Sequence, residues 1–188
     1  MLPLTGADQQ ALLRIARRAL EERIQRQSLP PPGKTPASLE RPGGAFVTLH
    51  KAGSLRGCIG RFEASTPIHQ TVYECALSAA LNDPRFDPVQ PQEVPQLQIE
   101  ISALSPLTNS SPEEIEVGLH GILISQGARQ GLLLPQVAVE WGWDRIRFLE
   151  QSCLKAGLEK DAWRREARIR TFTAQVFAEG REDRSGSA

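Results

Sequence analysis

Two β-prone runs, Phe46-Val47-Thr48-Leu49-His50 and Leu55 to Phe62, are separated by Lys51-Ala52-Gly53-Ser54, a four-residue turn with a glycine. This is a β-hairpin, and it commits the chain to antiparallel sheet, because a two-stranded ribbon is marginal until other elements cover a face. Leu97 to Ala103 alternates apolar and polar residues with period two, a further half-buried strand. Ile122-Leu123-Ile124-Ser125 and Leu132-Leu133-Leu134, around Gln126 to Gly131, read as a second hairpin whose returning strand Pro135 stops. Ile169 to Phe177 reads as one more strand, and Glu113 to Val117 is ambiguous.

Helical spacing fills the intervals. Thr5 caps a helix with Asp8 three residues on, and Leu13, Ala16, Leu20 and Ile24 form its apolar stripe. Arg14, Arg17, Arg18 and Arg26 fall on other faces and read as solvated. Ser65 or Thr66 caps a second helix with Pro67 at its first position; Ile68, Val72, Cys75 or Ala76, and Ala79 line it, and Asn82-Asp83-Pro84 ends it. Asp144 caps a third, carrying Ile146, Leu149 and Cys153, with Gly157 as its left-handed stop. Residues 28–44, rich in proline and glycine, read as an extended connector without regular structure, and 180–188 as a disordered polar tail. Hairpins interleaved with helices, without βαβ alternation, predict an α+β fold built on antiparallel sheet. The length suits a single domain over 1–188, with its core at about 11–179.

With 22 basic and 22 acidic residues, no global field draws the chain to nucleic acid or an anionic membrane. No apolar run approaches the roughly 20 residues of a membrane helix, and MLPLTGADQQ lacks a signal peptide's layout, so the expected location is cytoplasmic. Cys58, Cys75 and Cys153 are odd in number and never in CxxC spacing, and His50, His69 and His120 form no metal-binding pattern. No cofactor fingerprint, phosphate loop or Ser-His-Asp pattern is present.

The chemistry gathers at Leu55-Arg56-Gly57-Cys58-Ile59-Gly60. With Lys51 facing Ser54 across the turn, His50 opposes Leu55, Thr48 opposes Gly57 and Val47 opposes Cys58, which puts Arg56 and Cys58 on one face and His50 on the other. A guanidinium beside Cys58 favours a reactive thiolate, and Gly57 and Gly60 mark a bulge or the close approach of a ligand or backbone. The same cysteine fits equally as a small residue filling a core gap. His69, early in the second helix, could swing back toward the Cys58 strand as a base, and His120 sits in a Gly-flanked turn; neither belongs to a recognisable Cys-His pattern. Arg85 either binds a carboxylate or phosphate or ties its loop to the domain.

LRGCIG together with Asp83-Pro84-Arg85-Phe86, Leu133-Leu134-Pro135-Gln136-Val137 and Glu140-Trp141-Gly142-Trp143-Asp144 resembles the AMMECR domain family. The resemblance covers nearly the whole chain, and LRGCIG is its specific signature. It implies an α+β domain with antiparallel sheet, and a place in the AmmeMemoRadiSam system beside a Memo-like protein and a radical-SAM protein. It supplies no reaction. The leading expectation is an accessory, substrate-handling component with a groove of Arg56, Gly57, Cys58, Gly60, Arg85, Gln136 and Glu140, taking a small-molecule or protein ligand. One alternative is an enzyme using Cys58 as nucleophile or thiol carrier, with Glu140 or His69 handling protons. The other is a non-enzymatic interaction module using Trp141 and Trp143.

Overall fold

A computed structural model describes residues 3–26, 35–63 and 65–180. The fold is α+β with two antiparallel four-stranded sheets, and the chain divides into two compact units, Met1–Leu104 with Gln175–Ala188, and Ser105–Ala174. The proline-rich stretch 27–34 and the tail 181–188 lie outside the described residues.

The first unit begins with helix α1 (Gly6–Leu20), whose capping box is the one the sequence spells: Asp8 N–H donates to Thr5 Oγ1 at 3.2 Å and Thr5 N–H donates to Asp8 Oδ2 at 3.0 Å. The helix runs on as a π-turn over Glu21–Gln25. Arg17 is not a solvated arginine. It donates to both carboxylate oxygens of Glu179 and to the carbonyls of Val94 (2.9 Å) and Leu97 (2.6 Å), tying α1 to two other segments. The connector also holds regular structure, a 3-10 turn at Ala37–Leu39 that buries Leu39 completely.

Strands β1 (Ala45–Lys51), β2 (Ser54–Arg61), β3 (Leu97–Leu104) and β8 (Ala174–Ala178) form a sheet in the order β2-β1-β3-β8, so β2 is an edge. The hairpin turn has positive φ at Ala52 (50°) and Gly53 (79°), the twist that a two-residue hairpin loop needs. Ala45, Val47 and Leu49 alternate inward with Ile99 and Ile101, against the stripes of α1 and of α2 (Ile68–Leu81). Pro67 is itself the cap of α2; the Thr66 hydroxyl pairs with Thr71 Oγ1 at 2.9 Å instead of capping.

In the second unit β4 (Thr108–Asn109), β5 (Gly121–Gln126), β6 (Arg129–Leu133) and β7 (Arg168–Phe172) pair in the order β4-β7-β5-β6. Residues 112–114 make a 3-10 turn, and Pro135 opens a short helix, α3 (Pro135–Glu140), so Gln136 and Glu140 lie on a helix rather than flanking a turn. Helix α4 (Arg145–Lys155) is capped by Asp144, whose Oδ1 accepts from Arg147 N–H at 2.7 Å. It buries Phe148, Leu149 and Cys153 and leaves Ile146 exposed. The single strand expected over 169–177 is two strands: β7 ends at Phe172 and β8 joins the other sheet.

Candidate functional site

The hairpin is not regular. Lys51 opposes Ser54 and His50 opposes Leu55, but Leu49 opposes Gly57, leaving Arg56 as an extra residue in β2. This bulge moves every later partner by one, so Cys58 opposes Thr48 and not Val47. Opposed residues share a face. Cys58 therefore stands with Thr48, and alternation along β1 adds His50 and Phe46 to that side. The expected separation of His50 from Cys58 is overturned by one inserted residue. Continuing into β3, Thr48 opposes Glu100, His50 opposes Gln98 and Phe46 opposes Ser102. The face opposite the α1–α2 core thus carries a row Cys58–Thr48–Glu100 beside Leu55–His50–Gln98.

Cys58 is half-buried, whereas Cys75 and Cys153 are buried in the cores of their units. Burial raises the Cys75 thiol to about 11 and also pushes the Cys153 thiol up. Thr48 Oγ1 donates to Cys58 Sγ at 3.3 Å. The Cys58 N–H points away from β1 and donates to Asp83 Oδ2 at 2.8 Å, while Arg85 Nη2 reaches the Cys58 carbonyl at 3.4 Å. Arg85 also grips Asp83, from Nε to Oδ1 at 3.0 Å and from Nη2 to Oδ2 at 2.7 Å. This bond is the main reason that Asp83, almost fully buried, is held far below the usual carboxylate range; it raises Arg85 in turn.

Arg56 points elsewhere. Its Nε and Nη2 make a forked pair with Glu93 at 3.1 and 3.0 Å, and Nη1 donates to the Asp87 carbonyl at 3.0 Å. Glu93 also takes Lys51 Nζ at 2.9 Å and the Gln90 N–H at 2.9 Å, and Arg56 first of all lowers it to about 2. The glycines are close approaches within the fold. A Cβ on Gly57 would lie 2.1 Å from the Ala79 carbonyl oxygen, and one on Gly60 2.2 Å from the Phe46 ring. His69 faces Glu40 at 3.4 Å, and His120 Nδ1 accepts from Glu116 N–H at 3.1 Å.

In the second unit Gln136 is half-buried in the first turn of α3 and Glu140 is exposed at its last residue. Trp141, 69% exposed, stacks on Trp143 with ring centroids 6.0 Å apart. The structure thus brings Cys58 together with Gly57, Arg85 and the unforeseen Asp83, Thr48, His50 and Glu100. Gln136 and Glu140 belong to the other unit. Asp83 was legible as part of the Asn82-Asp83-Pro84 helix stop; Glu93 was missed, although it closes a capping box with Gln90, and nothing local named the partners of either.

The AMMECR1 family model matches residues 13–177, running through both units. The chain belongs to the AMMECR1 family. A protein of Methanothermobacter thermautotrophicus is 43% identical over 186 residues, covering 94% of this chain and 97% of its own. One from Thermococcus kodakarensis is 44% identical, covering 89% and 88%. The crystal structure of an uncharacterized protein from Pyrococcus horikoshii superposes with a TM-score of 0.85 at 40% identity, covering 94% of each chain. The AMMECR1 fold expected from the motifs is therefore the fold observed. Among the described residues no helix is long and apolar enough to cross a membrane, and no cluster of three or more His, Cys, Asp or Glu is placed to hold a metal ion.

Proposed function

We propose that this AMMECR1-family chain is a substrate-handling component of the AmmeMemoRadiSam system, working with a Memo-like and a radical-SAM protein, and that its ligand meets the sheet face around Cys58. One observation carries the reading: of the three thiols only Cys58 lies outside a hydrophobic core, in a polar row with Thr48 and Glu100 on the sheet face turned away from Val47 and Leu49. A polar row on an otherwise well-packed sheet is where binding groups are displayed. Glu140, exposed at the end of α3, is the carboxylate of the second unit that this reading offers to a ligand or partner. Arg56 serves the reading indirectly, by holding the bulge that turns Cys58 onto this face.

The test is alkylation of the native protein with iodoacetamide, mapped by mass spectrometry. Cys58 labels rapidly while Cys75 and Cys153 stay protected, and the labelled protein loses binding to the Memo-like or radical-SAM protein. Protection of Cys58 equal to that of Cys75 overturns the reading.

A cysteine enzyme is the second reading, and the observation favouring it is that His50 shares the Cys58 face. Diagonal neighbours on adjacent strands lie roughly 7–8 Å apart, within reach of long side chains. His50, rather than His69, is then the base. In that case His50→Ala slows labelling of Cys58 at neutral pH; an unchanged rate removes His50 from the chemistry.

A further inference from the structure

We infer that Asp83 and Arg85 are positioning residues for Cys58: together they stand in for the missing neighbour strand at that one residue and fix the thiol over Thr48. The inference rests on the reading of Cys58 given above. Strand β2 is the edge of its sheet, so the groups of Cys58 that point away from β1 meet no strand. Asp83 Oδ2 supplies the acceptor for its N–H at 2.8 Å, and Arg85 Nη2 the donor for its carbonyl at 3.4 Å. A carboxylate and a guanidinium thus offer what a peptide group would offer.

The clamp is internally braced. Arg85 N–H returns to Asp83 Oδ1 at 3.1 Å, closing a turn around Pro84, and the guanidinium holds both Asp83 oxygens. Its carboxylate side chain is 2% exposed and its guanidinium side chain 54%, so one half is anchored and the other faces solvent beside Cys58. The neighbouring residue is gripped by the same region, since Gly57 packs on the Ala79 carbonyl near the end of α2, just ahead of Asp83. A pair of non-hydrogen-bonded opposed residues brings side chains closest, and Cys58 and Thr48 are such a pair because the Cys58 N–H is turned outward to Asp83. DPRF and LRGCIG are then one device: the second displays the thiol and the first holds its peptide.

Iodoacetamide labelling of Cys58 at neutral pH and at about pH 10, where most thiols are ionised, tests this in the full chain. Arg85→Ala leaves the Asp83 carboxylate without its cation beside Cys58, and labelling at neutral pH falls about threefold or more while labelling at the high pH is unchanged. Arg85→Lys restores the charge and brings the neutral rate back to within about twofold of wild type. Wild-type rates in Arg85→Ala, with Cys75 and Cys153 still protected, overturn the inference and leave the reading of Cys58 standing. If Arg85→Ala opens Cys75 and Cys153, Arg85→Gln decides by the same comparison, since it keeps a neutral donor of similar length. Wild-type Cys58 as slow as Cys75 overturns both together.

Discussion

Gly57 and Cys58 are neighbours with opposite tolerances, and the contrast separates packing from display. A methyl on Gly57 has backbone, not a flexible side chain, 2.1 Å away at the Ala79 carbonyl. Gly57→Ala therefore forces α2 off the sheet, and urea unfolding is expected to show a loss of about 1–3 kcal/mol or more. Cys58 faces the other way and is only half-buried. Cys58→Ser is expected to keep stability within about 1 kcal/mol by the same measurement while abolishing ligand handling. Trp141 and Trp143 divide alike. Trp141 is exposed and contributes little to the core, so Trp141→Ala is expected to shift urea stability by no more than about 0.5 kcal/mol. Trp143 packs against the core of its unit, so Trp143→Ala is expected to cost about 2 kcal/mol.

At the scale of elements the decisive feature is the bulge in β2. Arg56, the extra residue, is fixed by a forked pair to Glu93, which also caps the 3-10 turn Pro91–Gln96 through the Gln90 N–H. Glu93 is lowered from 4.5 to about 2, so it binds fewer protons folded than unfolded across that interval. A depressed carboxylate contributes stability that is fully present above pH ~4.5 and is lost as pH falls toward ~2. Stability measured by denaturant titration from pH 6 to pH 2.5 is expected to fall below pH ~4.5, and Glu93→Gln to flatten part of that slope; an unchanged slope would remove Glu93 as a contributor. The two units share a packing device. Gly57 lies on the backbone of Ala79 at α2, and Gly131 lies on the backbone of Ala156 just after α4, its Cβ position 2.4 Å from that nitrogen. In each case a strand glycine lets a helix approach its sheet closely.

For the molecule as a whole, what was legible in the sequence and what was not divide along the range of the forces involved. Helix caps at Thr5 and Asp144, the hairpin turn at Gly53, the stop at Gly157 and the alternation of Leu97 to Ala103 are set by residues within a few positions of one another, and all stand where the chain alone puts them. The antiparallel α+β class and the AMMECR1 family follow from the same local text. The sharing of strands between two sheets was not legible, because Ile169 to Phe177 has one continuous β pattern and only pairing partners distant in sequence divide it at Thr173. Nor was the side of the sheet that Cys58 faces. The glycine after Arg56 signalled a bulge, but the partner that receives the extra residue's guanidinium, Glu93, is 37 residues away. Local geometry, which acts through short chain segments, made the elements and their ends readable from sequence alone. Register, the Asp83–Arg85 clamp and the polar row of Cys58, Thr48 and Glu100 were decided only in the tertiary structure, where groups far apart in the chain satisfy one another's hydrogen bonds and charges.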